Sequence, residues 1–167
     1  MKMIIHDLEP QEFAVQTLVP DSDAIIISDN GTIRKCIGCF GCWIKTPGIC
    51  VIKDDYQDLG QLMSQCDEII IISKCVYGSY SPFIRNVFDR SISYLLPYFA
   101  VRNGEAHHKI RYENKLALTV HFYGSGLTGA EQETAKALVA ANALSYCCTQ
   151  SKVTFHDNLR DIWEVLL

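Results

Sequence analysis

Glu68-Ile69-Ile70-Ile71-Ile72-Ser73-Lys74 runs directly into Cys75-Val76-Tyr77-Gly78-Ser79-Tyr80-Ser81-Pro82. Four consecutive isoleucines leave the segment no polar side, so a strand here must be covered on both faces. Ser81 and Pro82 then supply an N-cap and a first-turn proline. Ile84, Val87, Phe88, Ser91 and Leu95 follow at helical spacing. A doubly buried strand that turns at once into a helix is a building unit of a parallel sheet sandwiched between helices.

The rest of the chain repeats this alternation. Strand-like runs are expected at 2–8, 23–28, 115–122 and 152–156. Asp54-Asp55 opens a helical segment whose Leu59, Leu62, Met63 and Cys66 share a face. Thr128-Gly129 precedes a longer helix with Glu131 and Glu133 in its first turn, where acids suit the positive end. Leu138, Ala141, Leu144 and Cys148 are its expected core face. A short helix from Pro10 and a last one from Asn158 complete the pattern. Residues 97–114 show no periodicity and read as a long excursion of a functional or interfacial kind. Together these elements predict a single domain over 1–167. Its architecture is an α/β three-layer sandwich around a five-stranded parallel sheet in the order 2-1-3-4-5. Ligands of such sheets bind at the carboxyl ends of the strands, where the order reverses.

Composition sets outer limits. The chain has 167 residues, 49% hydrophobic and 20% charged, with 15 basic and 19 acidic residues and a net charge of −4. Neither a basic surface nor a Lys/Arg-rich run is present, so nucleic acid is not an expected partner. The longest aliphatic stretch is far short of the roughly 20 residues of a membrane helix, and the first ten residues carry no apolar signal core. A cytoplasmic location is expected, and in that compartment the eight cysteines read as thiols or metal ligands rather than disulfides.

Four of those cysteines are clustered as Cys36-x2-Cys39-x2-Cys42-x7-Cys50, with Trp43 and Thr46-Pro47-Gly48 inside the spacing. Soft thiolates so close together suit a 4Fe–4S cluster or a tetrahedral zinc. A bland alternative is tight packing in a loop bent by Gly38 and Gly41, since free cysteine is among the most buried residue types. Cys66 and Cys148 read as core, and Cys75 as an isolated thiol at a strand end. His107 and His108 read as solvated, His6 and His121 as strand or core positions. Asp54-Asp55 reads more simply as a cap than as an acid pair. Asp89 and Arg90, adjacent on a helix, do not face one another, but either can brace a neighbouring loop. No catalytic triad can be assembled.

The cysteine cluster, the Asp54-Asp55 pair and the Cys75–Pro82 loop, with Tyr123-Gly124 after the fourth strand, together resemble the flavodoxin-like NAD(P)H-dependent FMN reductases and their iron–sulfur flavoprotein relatives. The resemblance implies FMN across the strand ends, a reduced nicotinamide as electron donor, and a small-molecule or protein acceptor. It places Cys75, Val76, Tyr77, Gly78, Ser79 and Tyr80 along one edge of the flavin and Tyr123 and Gly124 along the other. It favours a cluster on Cys36, Cys39, Cys42 and Cys50, and it implies a homo-oligomer. One segment departs from the family. Asp7-Leu8-Glu9-Pro10-Gln11-Glu12 has no Gly, Ser or Thr where relatives cradle the FMN phosphate, and it brings three acids and a proline without an amide hydrogen. Phosphate binding of the conventional kind is expected to be weakened or lost. Two other readings therefore stand beside the reductase: an iron–sulfur or thiol redox protein, and a binding or assembly protein on a retained fold.

Overall fold

The fold is that of a computed structural model, which describes residues 1–10 and 24–166, with side chains as far as Ile162. The helix expected from Pro10 and the Gln11-Glu12 end of the acidic stretch lie outside the described residues. Five strands form one parallel sheet: β1 (Lys2–His6), β2 (Ala24–Ser28), β3 (Glu68–Lys74), β6 (Ala117–Tyr123) and β7 (Gln150–His156). Their spatial order is β2-β1-β3-β6-β7. This is the expected 2-1-3-4-5 arrangement, with two extra strands intervening in sequence.

Those two are β4 (Leu95–Arg102) and β5 (Glu105–Ile110), an antiparallel pair outside the main sheet. Residues 97–114 are therefore mostly a hairpin rather than an aperiodic excursion. Asn103 and Gly104, both at positive φ, make its turn. Apolar side chains at consecutive positions Tyr98 and Phe99 remain exposed, and so mask the alternation that would mark a half-buried strand.

The isoleucine run behaves as its composition demands. Ile69 and Ile71 pack with Met3, Ile5, Leu118, Val120 and Phe122 into the main core, which also receives Leu59, Met63, Ile84 and Val87. Ile70 and Ile72 face the other side with Ile4, Leu8 and Ile162. Two helices flank the first core: α2 (Leu59–Ser64) and α3 (Pro82–Arg90). The Ser81 hydroxyl caps α3 by accepting from Ile84 N–H, and Pro82 begins its first turn. A longer helix, α4 (Gly129–Ser145), starts with a reciprocal capping box between Thr128 and Glu131. The last helix, α5 (Leu159–Leu166), lies over the second core through Leu159 and Ile162.

Two expectations about these helices need correction. Asp54-Asp55 does not cap α2, which starts at Leu59 after Asp58 and has no side-chain cap bond. In α4 the buried stripe is Ala135, Val139 and Ala143, while Ala141 is exposed and Leu138 only half-buried. Small side chains lie where the helix meets the sheet most closely, and the leucines fill its margins. Among the described residues no helix is long and apolar enough to cross a membrane.

Candidate functional site

Two places gather the functional candidates, and they lie at opposite ends of α3. The first is the carboxyl end of β3. Val76 and Ser79 bond each other's backbone across a two-residue turn, at 2.8 and 3.0 Å. Tyr77 (φ 53°) and Gly78 (φ 72°) form its tip in the left-handed region. A Cβ on Gly78 would stand 2.8 Å from the Glu131 carbonyl and from Thr134 Cβ, so the glycine is required by its approach to α4. Tyr77 stands 89% exposed. Tyr80, by contrast, is buried, stacks on Phe122 with ring centres 5.3 Å apart and accepts a bond from Asn142. It supports the core and offers no ring face to the surface.

Cys75 is likewise buried, and its amide bonds the Tyr123 carbonyl at 2.9 Å. Burial pushes its thiol above the ordinary range, against a bond from the Gly78 amide. On the far side, Gly124 N–H donates to the His156 carbonyl at 3.0 Å, and Tyr123 is half-buried. Between the two sides stands Asp7. Its carboxylate accepts from Lys74 N–H at 2.9 Å and from the Tyr123 hydroxyl at 3.1 Å, tying together the ends of β1, β3 and β6. These strand ends thus present an exposed tyrosine beside a glycine packed against α4. A carboxylate built into the same strand ends does not suit a phosphate dianion.

The second place is a cavity of about 730 Å³ between the cysteine loop, the C-terminal ends of α3 and α4, and the hairpin. Cys36, Cys39, Cys42 and Cys50 all line it. Cys36 and Cys39 are exposed, Cys42 and Cys50 buried. The Cys42 thiol is pushed up first by burial, then by the neighbouring Cys50, Cys36 and Cys39. The loop gains its shape from a single helical turn, α1 (Gly41–Ile44), entered through Phe40 at φ 56°. Gly41 is needed there because a Cβ would meet the Val51 side chain at 2.5 Å.

This loop is anchored in two directions. Trp43 Nε1 donates to the Leu95 carbonyl at 3.0 Å. Arg90, its side chain wholly buried, grips Asp54 with two bonds of 2.7 and 2.8 Å and also donates to the carbonyls of Arg34 and Ile52. The Arg90 hydrogen bonds hold the Asp54 carboxyl down to about 2, against the effect of burial. Asp54 thus serves the loop rather than a helix cap, while Asp55 bonds Asn30.

The hairpin closes the cavity with aromatic rings, a role the sequence did not disclose. His108 stacks on Phe99 at 4.4 Å and leans on Trp43 at 4.9 Å, and Trp43 stacks on Phe40 at 5.5 Å. His107 bonds Glu105 and Ser145. These two histidines are half-buried cavity walls, not solvated surface. His6 and His121 are buried in strands as expected.

Among the described residues no three His, Cys, Asp or Glu side chains are set to hold a single metal ion. The four thiols that line this cavity are soft ligands of the kind that both iron–sulfur clusters and zinc sites use. Arg90, which lines the same cavity, has a buried Nε–H without a hydrogen-bond partner.

This geometry defines a class: the protein has a flavodoxin-like fold, with a hairpin inserted before the fourth strand of the sheet. Over 83 residues, half of its length, the chain is 30% identical to an iron–sulfur flavoprotein of Methanosarcina thermophila, and the match covers 42% of that protein. No protein-family model matches the chain. Its fold is shared with an FMN-dependent NADH-azoreductase from Bacillus anthracis, solved with FMN (TM-score 0.54, 9% identity, 99% of this chain and 95% of that one). It is also shared with the Trp repressor binding protein of Bacillus subtilis (TM-score 0.52, 11% identity, 99% and 95%). At such identities these two likenesses concern the fold alone.

Proposed function

We propose that this chain is an FMN-dependent NAD(P)H oxidoreductase that passes electrons to a small-molecule or protein acceptor, with the four-cysteine pocket as a 4Fe–4S site. The observation that carries the redox reading is that Cys36, Cys39, Cys42 and Cys50 line one cavity, in a chain similar to an iron–sulfur flavoprotein. FMN, when bound, supplies the exchange between two-electron hydride and one-electron chemistry. The chain's own residues have simpler tasks. Tyr77, Gly78 and Ser79 border one edge of a planar ring, and Tyr123 and Gly124 the other. Cys75, Val76 and Tyr80 hold the turn from behind. Trp43 and the Asp54–Arg90 pair fix the cysteine loop, and the rings of Phe99 and His108 form one wall of the cavity. Exposed Tyr98, Phe99 and Val101 on the hairpin suit contact with a second copy.

Asp7 favours a second reading. Because its carboxylate is tied to Lys74 and Tyr123, the phosphate must be held elsewhere or FMN is absent, leaving an iron–sulfur electron carrier. Iron, acid-labile sulfide and flavin assayed on anaerobically prepared protein separate the two. Iron and flavin together, with saturable FMN binding, support the oxidoreductase. Iron without flavin affinity selects the carrier, and neither group refutes both.

A further inference from the structure

A phosphate dianion offers only acceptors, so a site for it must supply donors or positive charge. At the carboxyl end of β1 the donors are already committed. Asp7 N–H bonds the Ile72 carbonyl at 3.3 Å, and Leu8 N–H bonds the His6 ring at Nδ1, 3.2 Å away. Pro10 has no N–H to give. Leu8 also turns its side chain into the second core with Ile4, Ile70 and Ile72, which pins the chain to the sheet where a cradling loop would rise from it. The adjoining loop after β2 is no better supplied. The amides of Asn30, Gly31 and Thr32 donate to the Tyr56 hydroxyl, Asp29 Oδ1 and Asn30 Oδ1 at 3.1, 2.9 and 3.0 Å.

Charge points the same way. From Met3 to Ile33 the sequence has no lysine or arginine, but it holds Asp7, Glu9, Glu12, Asp21, Asp23 and Asp29. At the end of β3, Lys74 brings one exposed cation. Its amide, however, donates to Asp7 at 2.9 Å, and the Tyr123 hydroxyl on β6 donates to the same carboxylate at 3.1 Å. Those bonds fix the charge of Asp7 between β1 and β3, at the switch in strand order where ligands of this fold lie.

We propose that Asp7 sets the cofactor class: the strand ends take a flavin without a phosphate, of the riboflavin kind, at least as tightly as FMN. This selectivity rests on the flavin reading of the strand ends and narrows it. A neutral ribityl chain suits the place because its hydroxyls donate, and a carboxylate with about four lone-pair positions can accept more than the two donors it now holds. FAD, whose pyrophosphate is anionic as well, is opposed in the same way as FMN.

Fluorescence titrations of the whole chain with riboflavin, FMN and lumiflavin, the bare ring, test this. Riboflavin is expected to bind no more weakly than FMN. Tighter binding of FMN overturns the proposal and leaves the flavin site standing. If none of the three binds, the flavin reading falls and the proposal with it. Salt gives a second readout on the same protein. Raising it from about 0.02 M to about 0.5 M screens repulsion, so FMN is expected to gain on riboflavin. A ratio that stays fixed or moves against FMN overturns the role of Asp7. Asp7→Asn keeps an acceptor for Lys74 but removes the charge. It is expected to improve FMN relative to riboflavin roughly 3-fold, the size of the screened repulsion between a carboxylate and a dianion about 6 Å apart in water. An unchanged ratio in a folded variant overturns Asp7 as the discriminating group; should the variant not fold, the wild-type ratio and its salt dependence decide.

Discussion

Replacing Asp54 with alanine removes the counter-ion of a guanidinium that has no solvent to turn to. The Asp54 side chain is 5% exposed and that of Arg90 0%. Breaking a buried pair from one side costs about 3–5 kcal/mol, against a total stability on the order of 5–15 kcal/mol for a domain. The pair also leaves a mark on pH dependence. The Asp54 carboxyl is held at about 2 from an ordinary 3.8, and a tenfold change in proton affinity corresponds to about 1.4 kcal/mol. Its folded-state pKa is the lower one, so the stabilisation of roughly 2.5 kcal/mol is full above about pH 4. It is lost as pH falls through 4 towards 2. Urea unfolding of wild type and Asp54→Ala at a series of pH values reads both effects. The variant is expected to lose about 3–5 kcal/mol at pH 7 and to show a shallower acid limb. A loss under about 1 kcal/mol with an unchanged acid limb would refute the buried-pair argument.

Other substitutions separate the two sites. Cys42→Ser and Cys50→Ser are each expected to abolish stable iron binding after reconstitution, measured as iron per chain, while thermal melting shows the fold retained. Gly78→Ala places a Cβ at φ 72° and 2.8 Å from the Glu131 carbonyl. It is expected to cost at least about 1 kcal/mol in urea unfolding. Burial, with His156 and Lys152, lowers His121 to about 4 from 6.5. The unfolded chain therefore takes up that proton first, and up to roughly 3 kcal/mol is lost as pH falls from 6.5 to 4. His121→Gln, which can still bond Thr154, is expected to lessen that slope in pH-dependent unfolding.

The main sheet was legible because Ile69–Ile72 and its neighbouring aliphatic runs have no polar face to misread. The Ser81-Pro82 start of α3 was equally plain. What escaped the sequence depended on partners far away along the chain. Arg90 was legible as a possible brace for a neighbouring loop, but its partner Asp54 lies 36 residues away and could not be named from the sequence. His107 and His108 look solvated until the β4–β5 hairpin folds them against Trp43. The four cysteines could be counted and spaced, but that all of them face one cavity follows only from α1 and the grip of Arg90. Tyr80 and Tyr77 sit three residues apart in one motif, yet the turn at Tyr77-Gly78 sends one outward and leaves the other in the core.

The central claim concerns electrons. Protein isolated and held under anaerobic conditions should show flavin bands over a broad iron–sulfur shoulder, and both should bleach when NADH or NADPH is added. A colourless protein that binds neither iron nor FMN on reconstitution would contradict the account.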